Sequence, residues 1–297
     1  MRDFVQLLVA GLAVGALYSL VALGFVIIYK ATGVINFAQG ALLLLGAYFA
    51  LSFNELANMP FLLAALAAMI TCAVVGVLVE RLILSRMVGQ PVFAVIMITL
   101  GLTIFFEQIV TWRWGQQRNL ADPWGLDTFT VADVVIPVVN VVRIGAAAVL
   151  LAGFFAFFRY SRLGVAMRAT ASDQEAALAQ GISARRIFAM SWAVAAAIAA
   201  LAGVLLASGG RGLDPSLGVV ALVAFPAIIL GGLDSPGGAV VGGAVMGVVE
   251  TMTSGYSDKL PEFLGNNFHR VTPYVVLVAI LMVRPYGLFG TPEVRRV

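Results

Sequence analysis

The chain has 297 residues, 61% of them hydrophobic and 11% charged, with a net charge of +3 and a mean hydropathy of +1.01. Soluble domains carry about 25% charged residues, so this chain has too few to clothe a surface in water, and hydrocarbon is the solvent that removes the need. The small basic excess is almost wholly arginine in short loops between apolar runs, which is a membrane pattern and gives no reason to expect nucleic acid.

A membrane-crossing helix needs about 20 mostly apolar residues. Such runs are Phe4–Tyr29, Phe37–Phe53, Pro60–Val79, Val92–Trp112, Val141–Phe158, Ile187–Ser208, Leu217–Leu233, Ala239–Met252 and Pro273–Val283. The first follows only Arg2 and Asp3 and continues past Ala22 with no cleavage-site pattern, so it reads as a span. Ala239–Met252 is short and glycine-rich, and with Leu217–Leu233 it forms either two tilted spans or one broken, re-entrant pair. The expected fold is all-α: a polytopic transmembrane helical bundle of eight or nine spans, forming a single domain over residues 1–297.

Lysine and arginine in short loops mark the cytoplasmic side. Arg159, Arg162, Arg168, Arg185 and Arg186 share one loop, about 159–186, which places it in the cytoplasm. Alternation adds Lys30, Arg81 and Arg86 and, with nine spans, the tail carrying Arg284, Arg295 and Arg296. The N-terminus and the loop 113–140, with Asp122, Asp127 and Asp133, then lie outside. Trp112, Trp114 and Trp124 at the outer end of the fourth run, and Trp192 near the inner start of the sixth, suit the headgroup level.

Polar residues inside apolar sequence are the candidates for function. Asn36 and Gln39, three apart at a span start, share one helix face; they either face a translocation path or serve as a helix cap. Glu107 and Glu250 are costly in hydrocarbon and so face protein or water. Glu107, close to Trp112, reads as snorkelling or as a structural hydrogen bond, whereas Glu250 is a candidate for the path. Gly231, Gly232, Gly237, Gly238, Gly242, Gly243 and Gly247 cluster in the second half. They mean either close helix packing or a flexible, broken helix lining a path. The interruptions at Ile35–Gly40 and at Gly231–Gly238, which includes Asp234, fall in the two halves of the chain, a pointer to a transport site. Cys72 reads as a buried, inert thiol.

The cytoplasmic loop contains a short helix signature. Ser172 is a good N-cap, Glu175 three residues later completes a capping box, and Gly181 is a stop at C′. The predicted helix, Asp173–Gln180, is too polar to insert and too short to be stable alone. It is either a linker docked on its own bundle or a knob for a cytoplasmic partner.

This loop resembles the coupling region of ABC-importer permeases, with Glu175-Ala176-Ala177 and Gly181 matching its core, and Arg168 and Ile182 matching beside it. The whole chain resembles the permeases of the branched-chain amino acid uptake family. The matching pieces are Gly33–Gly40, Arg168-Ala169, Ala177 with Gly181-Ile182, Ala202–Leu205, Leu230–Ala239 and Arg284–Gly290, in family order. The resemblance implies a coupling role for Arg168, Asp173, Glu175, Ala176, Ala177, Gly181 and Ile182. It implies a second related permease chain, two cytoplasmic ATPase subunits and an extracytoplasmic solute-binding protein, in a prokaryotic inner membrane. Phe225-Pro226-Ala227 and Asp234 depart from the family's common pattern. They leave the solute open among branched-chain amino acids, amides and small organic acids.

No phosphate loop of the G-x(4)-G-K-[ST] kind occurs, so ATP hydrolysis is expected on another chain. One cysteine and one histidine, Cys72 and His269, leave no Cys/His metal set and no His-based catalytic arrangement, and no cofactor is expected. The competing readings are an ion-coupled secondary transporter using Glu107 or Glu250, and a membrane scaffold or enzyme. Only an ATPase-driven permease needs a docking helix in the loop, and sparse intramembrane charge disfavours ion coupling. Asn36, Gln39, Gly231, Gly232, Asp234 and Glu250 are the candidates for the path.

Overall fold

A computed structural model describes residues 2–115, 117–131, 133–259 and 267–291; Arg295 and Arg296 lie outside these. Every apolar run becomes a helix or a set of short helices. First come α1 (Arg2–Thr32), α2 (Gln39–Leu56), α3 (Phe61–Leu82) and α4 (Val92–Trp114). A hairpin of β1 (Thr128–Val131) and β2 (Val134–Pro137) precedes α5 (Val138–Tyr160). Two short helices, α6 (Arg162–Ser172) and α7 (Gln174–Ala179), lead into α8 (Ala184–Ala207). The chain then passes through a 3-10 turn at Pro215–Val219, α9 (Val220–Val223) and α10 (Phe225–Gly231), and ends with α11 (Pro236–Gly255) and α12 (Phe268–Val283).

Among the described residues the hairpin and a single antiparallel bridge between Arg118 and Leu213 add to an otherwise helical bundle. The hairpin forms where β-branched residues flank Asp133, whose φ of 63° turns the chain. Arg2 Nη2 lies 2.7 Å from Asp133 Oδ2, so the start of α1 and the hairpin share one end of the bundle. At the opposite end Lys30 Nζ donates to the Asp234 carbonyl at 2.9 Å. Below, these are the hairpin end and the α7 end.

Burial sorts the helices. The apolar window of α1 is 83% buried and that of α8 78%, against 17% for α4 and 11% for α5, so α1 and α8 form the centre and α4 and α5 the lipid-facing wall. Leu62, Leu66 and Ile70 of α3 and Val149 of α5 are exposed large side chains, as hydrocarbon permits.

The seam between α1 and α11 is made of small residues. Gly11 and Gly15 lie against the backbone of Val248 and Ala244, and Gly243 lies against Ser19. The Ser19 hydroxyl donates to the carbonyls of Gly15 (2.7 Å) and Val240 (2.9 Å). Without a hydrophobic force between helices in lipid, close backbone approach supplies the attraction. The glycines at 242, 243 and 247 therefore serve packing, and α11 runs unbroken from its cap, where the Ser235 hydroxyl accepts from Gly238 N at 3.0 Å. The break lies before it. Pro226 has no N–H to give and interrupts the helical ladder between α9 and α10.

Candidate functional site

Two interrupted segments meet inside the bundle. After α1 the chain turns at Gly33 and returns as irregular backbone to Gln39, where α2 begins. Gln39 is fully buried. Its Nε2 donates at 3.4 Å to the carbonyl of Ala195, half-way along α8, and its amide occupies the space left open at Gly24 of α1. Thus α2 starts deep in the bundle. Its Gly40 abuts the carbonyl of Gly218, in the second irregular segment, closely enough that any Cβ at 40 would collide with it. Irregular backbone at membrane depth is tolerated only where protein or a water-filled cavity surrounds it.

Side chains supply the bonds that the irregular backbone lacks. The Asn36 side chain accepts from Ala38 N at 3.0 Å and donates to Gln39 Oε1 at 3.4 Å. Thr99 and Thr103, one turn apart on α4, clamp Phe37: Phe37 N donates to Thr99 Oγ1 at 3.3 Å, and Thr103 Oγ1 donates to the Phe37 carbonyl at 3.1 Å. The Phe37 ring stacks on Phe225 of α10, and Phe25 of α1 meets Phe225 edge-on. Glu107 is half-buried, with Oε1 facing Gly218. The structure thus joins Asn36 to Gln39, and it places Glu107, read from the sequence as snorkelling or as a structural hydrogen bond, against the Gly218 that Gly40 abuts. Thr99 and Thr103 were missed; their four-residue spacing on an apolar helix was the available signal.

Other candidates fall elsewhere. Glu250 Oε2 accepts from the Tyr18 hydroxyl at 2.6 Å across the α1–α11 seam. Gly231, Gly232 and Asp234 sit at the α7 end, where the segment after α12 is laid against them. Leu288 N donates to the Leu230 carbonyl at 2.7 Å, Phe289 N to that of Gly231 at 3.2 Å, and the Thr291 hydroxyl to Asp234.

The α6–α7 loop has the predicted short helix with a different cap. Ser172 is the last residue of α6 and donates back to the Arg168 carbonyl at 3.0 Å, so no capping box forms with Glu175. Asp173 takes the N-cap instead, its carboxylate accepting from Ala176 N at 2.9 Å. Ser172 is held within α6, so the extended residue after it, Asp173, is the one placed to accept from the first N–H groups of α7, and its charge suits that helix end. Gly181 is the C′ residue, with φ of 81°. Gly181 N donates to the Leu178 carbonyl at 2.9 Å and Ile182 N to that of Ala177 at 3.0 Å, a full Schellman closure. Only Ala177 of α7 is buried; Glu175, Ala176 and Leu178 face outward, Leu178 at 50% exposure. Arg168 is turned inward, its guanidinium donating to the carbonyls of Phe158 and Arg159 at the end of α5 and lying over the Phe158 ring.

A cavity of about 250 Å³ connects the two features: Asn36 and Thr99 line it, and so does Gln174 of α7. Among the described residues no group of three or more His, Cys, Asp or Glu could hold a metal ion.

A family model described as branched-chain amino acid transport system / permease component matches residues 7–281. The chain is 30% identical over 311 residues to the high-affinity branched-chain amino acid transport system permease protein LivH of Salmonella typhimurium, covering 99% of this chain and 98% of that one. It is 30% identical over 308 residues to the corresponding protein BraD of Pseudomonas aeruginosa, with the same coverage of 99% and 98%. A probable LivH of Methanocaldococcus jannaschii is 26% identical over 284 residues, 91% of this chain and 88% of that one.

Proposed function

Because the chain belongs to the branched-chain amino acid transport system permease family, we propose that it is the membrane subunit of an ATP-driven importer in a prokaryotic inner membrane, carrying branched-chain amino acids or a close relative such as a small amide or organic acid. The observation that carries the reading is α7: a stopped, outward-facing helix too short to persist unless something packs on it. In this reading the α7 end is cytoplasmic and the hairpin end faces the solute-binding protein. A second related permease chain completes the pore, and two cytoplasmic ATPase subunits grip α7.

The path runs past the meeting of the two breaks, where Asn36, Gln39 and Glu107 offer polar atoms among apolar walls. Closure of the ATPase pair pushes α7, and the shared cavity wall from Gln174 to Asn36 carries the displacement to the first break. Phe37 and Phe225 then separate or close. Ligand and nucleotide must each prefer a different state of the bundle for this coupling to exist.

The test is ATP-driven uptake of labelled L-leucine into proteoliposomes holding this chain, its permease partner, the ATPases and the binding protein. Accumulation that needs ATP and all chains supports the reading. Accumulation by this chain alone, driven by an ion gradient, would sink it.

A further inference from the structure

Glu80, near the α7 end of α3, lines the cavity that joins Gln174 of α7 to Asn36. It is 2% exposed, and its Oε2 is buried without a hydrogen-bond partner. Among the described residues no cation stands within ion-pair distance of it, and Arg81 and Arg185 act on it only from further away. A buried carboxylate oxygen left in this condition is costly until a donor or cation completes it.

Glu80 lines the cavity of about 250 Å³, which is far larger than one water fills. Asn36 and Thr99 form its deep end beneath the first break, and Phe188 and Trp192 of α8 give it an aromatic wall. Gln174 of α7 is exposed and stands at its rim. The cavity therefore offers one unsatisfied carboxyl oxygen, an apolar wall and an amide at the mouth. That set is complementary to a small zwitterion with an aliphatic side chain: ammonium on Glu80, side chain against Trp192 and Phe188, carboxylate towards Gln174 and solvent.

We propose that this cavity binds the transported solute from the α7 side of the membrane and that its occupancy slows further import. The proposal rests on the importer reading above. The walls belong to α1, α3, the segment 84–90 that follows it, α4, α7, α8 and the first break, so a bound ligand ties α7 to the break in one arrangement. A ligand that prefers that arrangement withholds α7 from the stroke of the ATPase pair. Solute accumulated inside then limits its own entry.

The purified chain in lipid nanodiscs, titrated by calorimetry with L-leucine, isoamylamine and isocaproate, tests the chemistry without any variant. L-leucine and isoamylamine are expected to bind, and isocaproate, which lacks the ammonium, is not. Glu80→Gln is expected to weaken L-leucine binding by about tenfold or more. Isocaproate binding as tightly as isoamylamine, unchanged L-leucine binding by Glu80→Gln, or no binding of any probe overturns the proposal. In the reconstituted complex, L-leucine preloaded on the α7 side should slow wild-type uptake several-fold relative to empty vesicles. The Glu80→Gln complex should lose that slowing when measured against its own uptake into empty vesicles, and slowing equal to the wild type counts against the site. ATP-driven uptake with no L-leucine held in the cavity defeats this inference alone, whereas absence of ATP-driven uptake defeats the importer reading.

Discussion

The rings of Phe37 and Phe225 stack with centroids 6.1 Å apart and planes 18° apart, closing the irregular segment before α2 against the helix that follows the second break. Phe37 is held at its backbone by Thr99 and Thr103, and Phe225 is fixed by its neighbour Pro226 and by the edge of Phe25. An aromatic pair of this kind contributes about 1 kcal/mol beyond its buried area, which shifts a two-state equilibrium by about fivefold. Phe37→Ala and Phe225→Ala are therefore expected to raise ATP hydrolysis in the absence of solute several-fold while lowering the uptake achieved per ATP. Parallel measurement of both rates in proteoliposomes decides the matter. Unchanged basal hydrolysis in both variants would remove the pair from the gate.

Topology is open to direct labelling. In a Cys72→Ser background, a cysteine at position 185 should react with an impermeant maleimide only from the cytoplasmic side, and one at position 127 only from outside. Cys72 is fully buried and packs beside the Leu42 carbonyl, so its replacement by serine is a small change. Labelling of position 185 from outside would invert the bundle and detach α7 from any cytoplasmic ATPase.

Tyr18 and Glu250 form a long-range pair whose members depend on each other. Tyr18→Phe leaves the Glu250 carboxylate without its donor inside the seam, at an expected cost of about 1–3 kcal/mol. Glu250→Gln in the same background removes the charge and should recover part of that loss. A double-mutant cycle by thermal unfolding in detergent measures the coupling. Additive effects would show that the carboxylate is served by water or lipid, not by Tyr18.

The helices were legible in the sequence because hydrocarbon leaves one solution for a run of apolar residues: an internally bonded helix. Gly181 was legible for a similar local reason, since few residues accept a φ of 81° at a helix stop. What remained hidden depends on contacts distant in sequence. Glu250 read as a candidate for the path because nothing local marks Tyr18, 232 residues away, as its partner. Glycines at 242, 243 and 247 suited close packing and a flexible helix equally until α10 was laid against the first and α1 against the other two. The cap moved from Ser172 to Asp173 because both residues fit the local pattern, and only the path of α6 decides between them. Glu107 and Thr99 joined the site because α2 starts deep in the bundle, a fact set by Gln39 reaching Ala195.

The central claim is that α7 is the handle by which a separate ATPase drives this bundle. The most direct measurement is uptake together with solute-stimulated ATP hydrolysis in the reconstituted complex, comparing wild type with Gly181→Leu and Glu175→Arg. A leucine at φ of 81° is strained by about 1 kcal/mol and alters the exposed stop of α7 without touching the bundle core, because nothing lies within 4 Å of the added Cβ. The prediction is a folded chain in which uptake falls at least tenfold while solute no longer stimulates hydrolysis. If both variants transport and hydrolyse as the wild type does, α7 is only a linker and the coupling account is wrong.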